Sequence, residues 1–472
     1  MVFSSSLFLL YFLPAFLILY FVVPHKLKNF VVLIASILFY TWGAPDFIFI
    51  VIGSIIIDFY LVKALYKAEG KARRRLTGAS IILNVGLLAY FKYANFFIEN
   101  VDWILEQFGH NPVTWTHVAL PIGISFFTFQ KMTYTIDVYR GIHPPLNRIS
   151  DLAMYILMFP QLIAGPIVRF NEIAHQLIDR RNNENMDNRV TGFFRFCLGL
   201  GKKVMIANTL GAYADQVFAA DPAQLSTITL WIGVLAYAFQ IYYDFAGYSD
   251  MAIGLGRMIG FDFPENFNNP YISQNISEFW RRWHMTLGRW MRDYLYIPLG
   301  GSRVTALRMY FNLWVVFLIS GLWHGAAWNF VVWGAFHGFF LVADRVFLLK
   351  IYKTIGKFPS VAITFMITLV GWVLFRADSM NHAWNYLAGM FGFRGGDIIY
   401  AERSVWFMIL FGGFFALWAY FPAIERWQLR LFAKEQKMRS IILMAVVSII
   451  LFVISLASIT SSDFNPFIYF RF

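Results

Sequence analysis

The sequence predicts an all-α, polytopic integral membrane protein with about ten to twelve transmembrane helices, re-entrant segments and a central tunnel. Two compositional observations predict this class: 59% of the 472 residues are hydrophobic, and only 14% are charged. A third observation is that apolar runs long enough to cross a bilayer recur along the chain. Because the sequence shows no internal repeat and no linker of soluble composition, residues 1–472 are predicted to form a single membrane domain.

Lysine and arginine gather in short loops between the apolar runs. Residues 63–75, 345–357 and 426–439 are basic loops of this kind, and the positive-inside rule places them on the cytoplasmic side. The acidic segment 99–106 follows the next apolar run and is expected outside. The net charge of +12 is therefore explained by topology, and the expected surroundings are membrane lipid and not nucleic acid.

Hydropathy gives no clean alternation between residues 120 and 320. The apolar runs at 151–168 and 192–207 are interrupted by proline, glycine or lysine. Irregular backbone at membrane depth is tolerated only where protein or water surrounds it. This region is therefore predicted to hold the re-entrant segments and to line the tunnel.

One histidine, His324, lies between small residues inside an apolar and aromatic stretch at 320–329. An ionisable group at bilayer depth costs several kcal/mol unless it faces a cavity or a partner, so such a group is functional by default. We therefore predict that His324 is catalytic. The alternative is a buried structural histidine bonded to a backbone carbonyl, which is the interpretation we give to His337.

Two carboxylates and several phenols follow an apolar run in segment 240–250. Asp244 and Asp250 are able to orient a histidine or hold a substrate hydroxyl, and Tyr248 is able to donate a hydrogen bond to the same substrate. An interfacial aromatic belt with capping carboxylates explains the pattern equally well. Both interpretations stay open, with Asp244 and Tyr248 as candidate binding residues.

The segment from 277 to 294 carries aromatic and leucine side chains at three- and four-residue spacing, which predicts one amphipathic helix with Ser277 as its N-cap. These side chains are Trp283, Leu287, Trp290 and Tyr294. Such a helix favours the membrane interface, where it can also form the mouth of a cavity. Arg281 and Arg282 are then candidates for binding lipid head groups or an anionic ligand.

Other chemistries find no support in the sequence. His284, His324 and His337 are too far apart along the chain for the helical histidine pair of a zinc site. The only cysteine, Cys197, excludes an intrachain disulfide and a cysteine-rich metal site. No Walker loop or dinucleotide fingerprint is present. We therefore predict no metal and no permanently bound cofactor.

Six short motifs follow one another along the chain between residues 121 and 325. They are PIGISF at 121–126, FPQLIAGP at 159–166, YDFAGYSD at 243–250, FWRRWH at 279–284, RDYLYI at 292–297 and GLWHG at 321–325. In this order they closely resemble the membrane-bound O-acyltransferase (MBOAT) family, and they are most similar to its bacterial polysaccharide O-acetyltransferases, typified by the alginate enzyme. The resemblance covers nearly the whole chain.

The resemblance implies a catalytic histidine at His324 and a second important histidine at His284. It also implies acetyl-CoA as the acyl donor on the cytoplasmic side of a bacterial inner membrane that the chain crosses many times. A periplasmic or extracellular acetyltransferase partner, within a polysaccharide biosynthesis complex, would deliver the acetyl group to a polymer. Alginate, cellulose and peptidoglycan are the polymers modified by similar proteins.

The mechanism expected from these residues is general base catalysis. Neutral His324 would take the proton of the acceptor hydroxyl as that hydroxyl attacks the thioester, and His284 would form a hydrogen bond or relay a proton from the other side of the tunnel. Trp323 or Asn329 would stabilise the oxyanion. A covalent acetyl-histidine intermediate stays open.

Three rival functions stay open at this point. The first is transfer of another acyl group, such as D-alanine, in cell-wall modification. The second is a polymer or acyl transporter without catalysis, which would also have a tunnel and re-entrant helices. The third is a lipid acyltransferase, which would use long-chain acyl-CoA and leave polysaccharide unmodified.

Overall fold

A computed structural model describes residues 2–163, 165–433, 436–461 and 464, and within these ranges the chain is helical and contains no β-strand. Residue 164 of the 159–166 motif and residues 434–435 of the last basic loop lie outside the described residues. The chain packs as two compact units. The first contains Met1–Asn185 and Ile259–Phe263, and the second contains Met186–Met258 and Pro264–Phe472.

Eight helical segments of the described chain are long and apolar enough to cross a membrane. They are Pro45–Lys67, Gly70–Gln107, Thr227–Met258, Ala306–His324, Trp328–Ile355, Lys357–Arg376, Arg403–Tyr420 and Met438–Ser461. A shorter apolar helix covers Phe8–Val22. The prediction of a polytopic, all-α membrane protein is therefore confirmed, whereas the number of spans, the tunnel and the single domain stay predictions.

The first unit is built from helices α1 to α9. Their bounds are Leu13–Val22 (α1), His25–Gly43 (α2), Ile48–Lys67 (α3), Gly70–Leu88 (α4), Ala94–Gln107 (α5), Ile124–Tyr139 (α6), Ile149–Leu157 (α7), Phe159–Leu162 (α8) and Phe170–Ile178 (α9). Helix α6 is buried along most of its length although many of its side chains are polar. It packs against α3 and α4, which supply the polar partners that burial of such a helix requires.

A buried ion pair joins these three helices. The ammonium of Lys131 on α6 lies 3.5 Å from the carboxylate of Asp58 on α3, and it donates a 2.8 Å hydrogen bond to Ser54. On α4, Ser80 donates to Asp58 at 2.7 Å and Asn84 donates to the same carboxylate at 2.9 Å. Both charged side chains are only 1% exposed. The pair therefore depends on mutual neutralisation and on these hydrogen bonds.

We predict that the single substitution Asp58→Leu lowers the free energy of unfolding by about 3–5 kcal/mol, because it leaves the Lys131 ammonium buried without its counter-charge. The double substitution Asp58→Leu/Lys131→Met removes both charges and is expected to recover most of that loss. Thermal unfolding in one detergent measures both variants, with the exposed Lys71→Met as control. A double variant that is no more stable than the single one would contradict the prediction.

The second unit is built from helices α10 to α22. Their bounds are Met186–Gly201 (α10), Asn208–Ala219 (α11), Thr227–Met258 (α12), Ile276–Arg282 (α13), Met285–Met291 (α14), Ala306–His324 (α15), Trp328–Ala343 (α16), Leu349–Ile355 (α17), Lys357–Arg376 (α18), Met380–Phe391 (α19), Arg403–Leu417 (α20), Pro422–Leu431 (α21) and Met438–Ser461 (α22). Helices α10 and α12 approach so closely that a Cβ on Gly247 would lie 2.7 Å from the carbonyl oxygen of Gly199. Small residues permit such backbone contact between membrane helices.

The prediction of one continuous helix over 277–294 is wrong. Helix α13 ends at Arg282 and α14 begins at Met285, because His284 adopts a left-handed backbone conformation with φ of 43°. The N-cap is Asn275, whose side chain accepts a 2.7 Å hydrogen bond from the backbone N–H of Glu278. The hydroxyl of Ser277 instead donates to Asp344 at 2.8 Å. The aromatic spacing carried no sign of this break.

Candidate active site

The predicted catalytic residue His324 is the last residue of α15 and is 6% exposed. Its imidazole lies among aromatic rings, with centroid distances of 4.9 Å to Trp323, 5.2 Å to Trp333 and 5.3 Å to Phe375. The contacts with Trp333 and Phe375 are close to perpendicular, at 83° and 76°. The ring is thereby held in one orientation inside an apolar shell.

Glycines at the α15–α16 junction hold His324 in place. A Cβ on Gly321, one turn before the histidine, would collide with the carbonyl oxygen of Phe330, and a Cβ on Gly325 would overlap the ring of the same phenylalanine. On the facing helix, a Cβ on Gly334 would collide with the backbone of Phe317. Only glycine permits this approach of the two backbones.

His284 is the second predicted histidine, and it is 1% exposed. Its Nδ1 lies 2.9 Å from Oδ1 of Asn266, and its ring packs edge-on against Phe245 at 4.7 Å. Burial lowers the pKa of His284 to about 3, so its imidazole is neutral at pH 7. Its Nε2 is buried and has no hydrogen-bond partner among the described residues.

Trp323 lies between the two histidines. Its ring centroid is 6.2 Å from that of His284 and 4.9 Å from that of His324. The structure therefore brings these three residues together, although 40 positions separate the histidines in the sequence. Trp323 is itself buried, at 4% exposure.

The carboxylates of segment 240–250 form ion pairs. Asp244 lies 2.9 Å from the ammonium of Lys203, and Asp250 contacts Arg195 at 2.9 Å and Lys202 at 2.6 Å. These contacts join α12 to α10 and to the turn after it, so each carboxylate neutralises a cation of the neighbouring segment. Tyr248, on the same helix, is 1% exposed. On the sequence alone, these two carboxylates are candidates for groups that orient a histidine. The side chain that contacts Nδ1 of His284 is instead the amide of Asn266.

The two arginines before His284 differ in their surroundings. Arg282 is half-buried and pairs with Glu278 at 2.9 Å and Glu425 at 3.5 Å. Arg281 is exposed and makes no ion pair or hydrogen bond within the described ranges. Arg281 is therefore able to contact a lipid head group or an anionic ligand, whereas Arg282 is already neutralised.

Asn329 is the second residue of α16, and its side-chain amide donates hydrogen bonds to backbone carbonyl groups. Its Nδ2 donates to the carbonyl oxygen of Ala377 at 2.8 Å and approaches that of Leu374 at 3.5 Å. Carbonyl groups at a helix C-terminus have no partner within the helix, and here α18 ends at Arg376. Asn329 thus caps a helix end beside the site, and stabilisation of an oxyanion by Asn329 or Trp323 stays a prediction.

A cavity of about 250 Å³ lies next to His284. Its lining includes Asn266 and Ser249, which are hydrogen-bonded to each other at 2.9 Å, together with Met285. Helix α21 contributes Glu425 and Gln428 to the opposite wall. Sequence reasoning missed Asn266, because no motif marks an asparagine whose partner lies 18 residues along the chain.

The charged residues that line this cavity are two cations and three carboxylates. Arg195 and Lys202 face Asp250, Glu265 and Glu425. Arg195 is held on both sides, since Glu265 contacts it at 2.5 Å in addition to Asp250. The cavity therefore carries no surplus positive charge for a phosphate, and it suits a polar, uncharged chain.

Comparison with known proteins identifies the family. The model of the MBOAT, membrane-bound O-acyltransferase, family matches residues 146–375. The probable alginate O-acetylase AlgI of Pseudomonas aeruginosa is 44% identical over 83% of this chain and 75% of its own length. The chain belongs to the MBOAT family.

Two further relatives are similar to this acyltransferase over most of its length. The probable alginate O-acetylase AlgI of Pseudomonas putida is 39% identical over 100% of both chains. The peptidoglycan O-acetyltransferase of Helicobacter pylori is 37% identical over 86% of this chain and 82% of its own. The protein is therefore a multi-pass membrane O-acyltransferase of the alginate-type branch.

We predict that Gly321→Ala in this acyltransferase lowers acyl-transfer activity at least tenfold and lowers the melting temperature, because the added methyl group pushes α15 away from Phe330 and displaces His324. The measurement is specific activity per folded protein, with melting followed in parallel. Gly201→Ala is the matched control, since its Cβ would meet only a leucine methyl group at 3.7 Å and a methionine sulfur at 3.9 Å. Equal activity in the two variants would show that the close approach is dispensable.

Proposed function

We propose that this protein takes acetyl groups from cytoplasmic acetyl-CoA and transfers them across a bacterial inner membrane for O-acetylation of an extracytoplasmic polysaccharide such as alginate. One observation carries the proposal: His284, Trp323 and His324 form a continuous series of rings that begins beside the cavity. A general base and a second neutral imidazole next to a cavity meet the needs of acyl transfer. The names of the relatives supply the substrate class.

The predicted topology supports transfer across the membrane. Helix α21 lies in the basic loop expected on the cytoplasmic side, and it lines the cavity. Helix α18 starts in another such loop at Lys357, so its other end is directed outward. His324 contacts Phe375 at that outer end. The cavity and His324 therefore lie toward opposite faces of the membrane, with His284 next to the cavity.

The proposed reaction is a direct exchange of an ester for a thioester. The acceptor hydroxyl oxygen attacks the carbonyl carbon of the acetyl thioester while His324 takes the hydroxyl proton. The tetrahedral intermediate collapses, its C–S bond breaks, and the proton passes from His324 to the departing sulfur. The products are an acetyl ester and the free thiol of CoA. No oxidant, reductant or metal enters this balance.

The donor is proposed to enter through its uncharged arm. The cavity lining has no surplus cation, so it suits the amide-bearing pantetheine chain better than it suits phosphate groups. Exposed arginines on α21, Arg426 and Arg430, lie beside this wall and supply positive charge for the phosphates outside the cavity. The exposed Arg281 is a third candidate for the same role.

A separate periplasmic acetyltransferase partner is proposed to pass the acetyl group on to the polymer. The described segments that join the helices are short and leave no room for a folded polysaccharide-binding domain. A partner within the polysaccharide biosynthesis complex supplies that domain. The acceptor hydroxyl at His324 then belongs either to this partner or to the polymer, and acetyl-labelled partner distinguishes the two cases.

Rival functions differ in measurable products. A D-alanyltransferase would ignore acetyl-CoA and use an aminoacyl carrier protein. A transporter would leave the thioester intact, and a lipid acyltransferase would prefer a long-chain acyl-CoA. Offering labelled acetyl-CoA, palmitoyl-CoA and a D-alanyl carrier thioester to the same lipid-reconstituted protein separates all three from the proposed function.

We predict that His324→Gln and His324→Ala reduce acetyl transfer from labelled acetyl-CoA by about 10²–10⁴-fold, which is the usual contribution of a general base. The assay measures label on the polymer or partner, using protein reconstituted in lipid. The exposed His175→Gln is the control and should retain wild-type rate. Folded His324 variants that transfer acetyl groups at the wild-type rate would refute this assignment.

We predict that Arg426→Gln/Arg430→Gln raises the KM for acetyl-CoA three- to tenfold with kcat little changed, because the cations contact phosphates in the bound donor and in the transition state alike. The dependence of KM on salt should weaken in the same variant. Lys353→Gln, at an exposed site in another basic loop, is the charge control. An unchanged KM would exclude α21 as the phosphate-binding surface.

A further inference from the structure

Asn266 occupies the position between the cavity and His284. It is fully buried, and its side chain makes several hydrogen bonds. Its Oδ1 lies 2.8 Å from the hydroxyl of Thr286 and 3.3 Å from the backbone N–H of the same residue. On the other side, its Nδ2 donates to Ser249 at 2.9 Å. The Nδ1 atom of His284 contacts the same oxygen, Oδ1, at 2.9 Å.

The backbone of Thr286 determines which way the Asn266 amide is oriented. A backbone N–H donates and never accepts, so the atom facing it is an oxygen. A flipped amide would direct its NH₂ group at that N–H, whereas the rotatable hydroxyl of Ser249 accommodates either orientation. The geometry at Thr286 therefore fixes Oδ1 on the side of His284.

An acceptor oxygen opposite Nδ1 determines the tautomer of His284. Because Oδ1 carries no hydrogen, Nδ1 must carry the hydrogen of this contact. A neutral imidazole has one N–H group, so the lone pair resides on Nε2. The two nitrogens lie on different edges of the ring, and Nε2 is therefore directed away from Asn266. Nε2 is buried and accepts no hydrogen bond from the described residues.

Backbone hydrogen bonds hold Asn266 and His284 next to each other. The N–H of Met285 donates to the carbonyl oxygen of Asn266 at 2.8 Å, and that of Asn268 donates to the carbonyl oxygen of Arg282 at 2.9 Å. His284 itself has a positive φ, a left-handed conformation that residues with a Cβ rarely adopt. Such strain persists where the surrounding contacts over-determine the conformation, and here they turn the ring onto Asn266.

We propose that Asn266 is a positioning residue that holds His284 in its Nδ1–H tautomer, so that Nε2 presents a lone pair that accepts a hydrogen bond during acyl transfer while His324 acts as the general base. The role in catalysis rests on the proposed function, whereas the tautomer rests on the hydrogen bonds alone. Asn266 and Ser249 also line the cavity, so the residue that sets the tautomer lies beside the space proposed for the donor.

The test is the ¹⁵N spectrum of His284 in protein labelled at histidine, with the resonances identified by their loss in His284→Gln. We expect a pyrrole-type Nδ1 and a pyridine-type Nε2 in the wild type and in Asn266→Asp, which keeps an acceptor oxygen. Asn266→Leu removes the acceptor and should give a mixture of tautomers. Its kcat for acetyl transfer should fall at least 100-fold with the KM for acetyl-CoA within threefold, and Asn266→Asp should recover at least a tenth of wild-type kcat.

Asn312→Leu is the matched control, since Asn312 is equally buried and donates to the carbonyl oxygen of Leu299. This substitution should lower stability and leave the His284 spectrum unchanged. A wild-type His284 with its hydrogen on Nε2 would overturn the assignment even if Asn266→Leu failed to fold. A protein that shows the Nδ1–H tautomer and transfers no acetyl group would overturn the proposed function and leave the tautomer assignment standing.

Discussion

The contact between the backbones of α15 and α16 is the constraint on which the candidate site depends. Where Gly321 meets Phe330, the two helices are closer than any side chain would allow. This approach places His324 at the end of α15 against Trp333 of α16. It also sets Asn329 at the start of α16 against the end of α18. One backbone contact thus orients a histidine, an aromatic shell and a helix cap.

The sequence was sufficient to predict those features of the structure that depend on one property of the chain, such as its composition. Composition predicted the all-α membrane fold, and the position of His324 among small and apolar residues predicted a buried histidine. The break at His284 was not predictable, because the aromatic spacing on both sides of it is helical. Nor was the part played by Asn266, which depends on where Thr286 is brought by the fold.

The pairing of charges was not predictable for a related reason. The arginines beside His284 indicated a positively charged entrance to a cavity. In the structure, Arg282 is neutralised by Glu278 on its own helix and by Glu425 on α21. Asp244 and Asp250 likewise serve cations from neighbouring segments. In an apolar surrounding every buried charge needs a counter-charge, and its identity is decided by packing and not by sequence proximity.

The left-handed conformation at His284 implies a conflict between stability and activity at this position. Glycine adopts that region without the steric cost that a residue with a Cβ meets. A screen for thermostable variants would therefore be drawn toward glycine at position 284, and such a gain would delete the imidazole. The chain retains a residue that its own backbone disfavours, which is the pattern expected where selection acts on chemistry and not on folding.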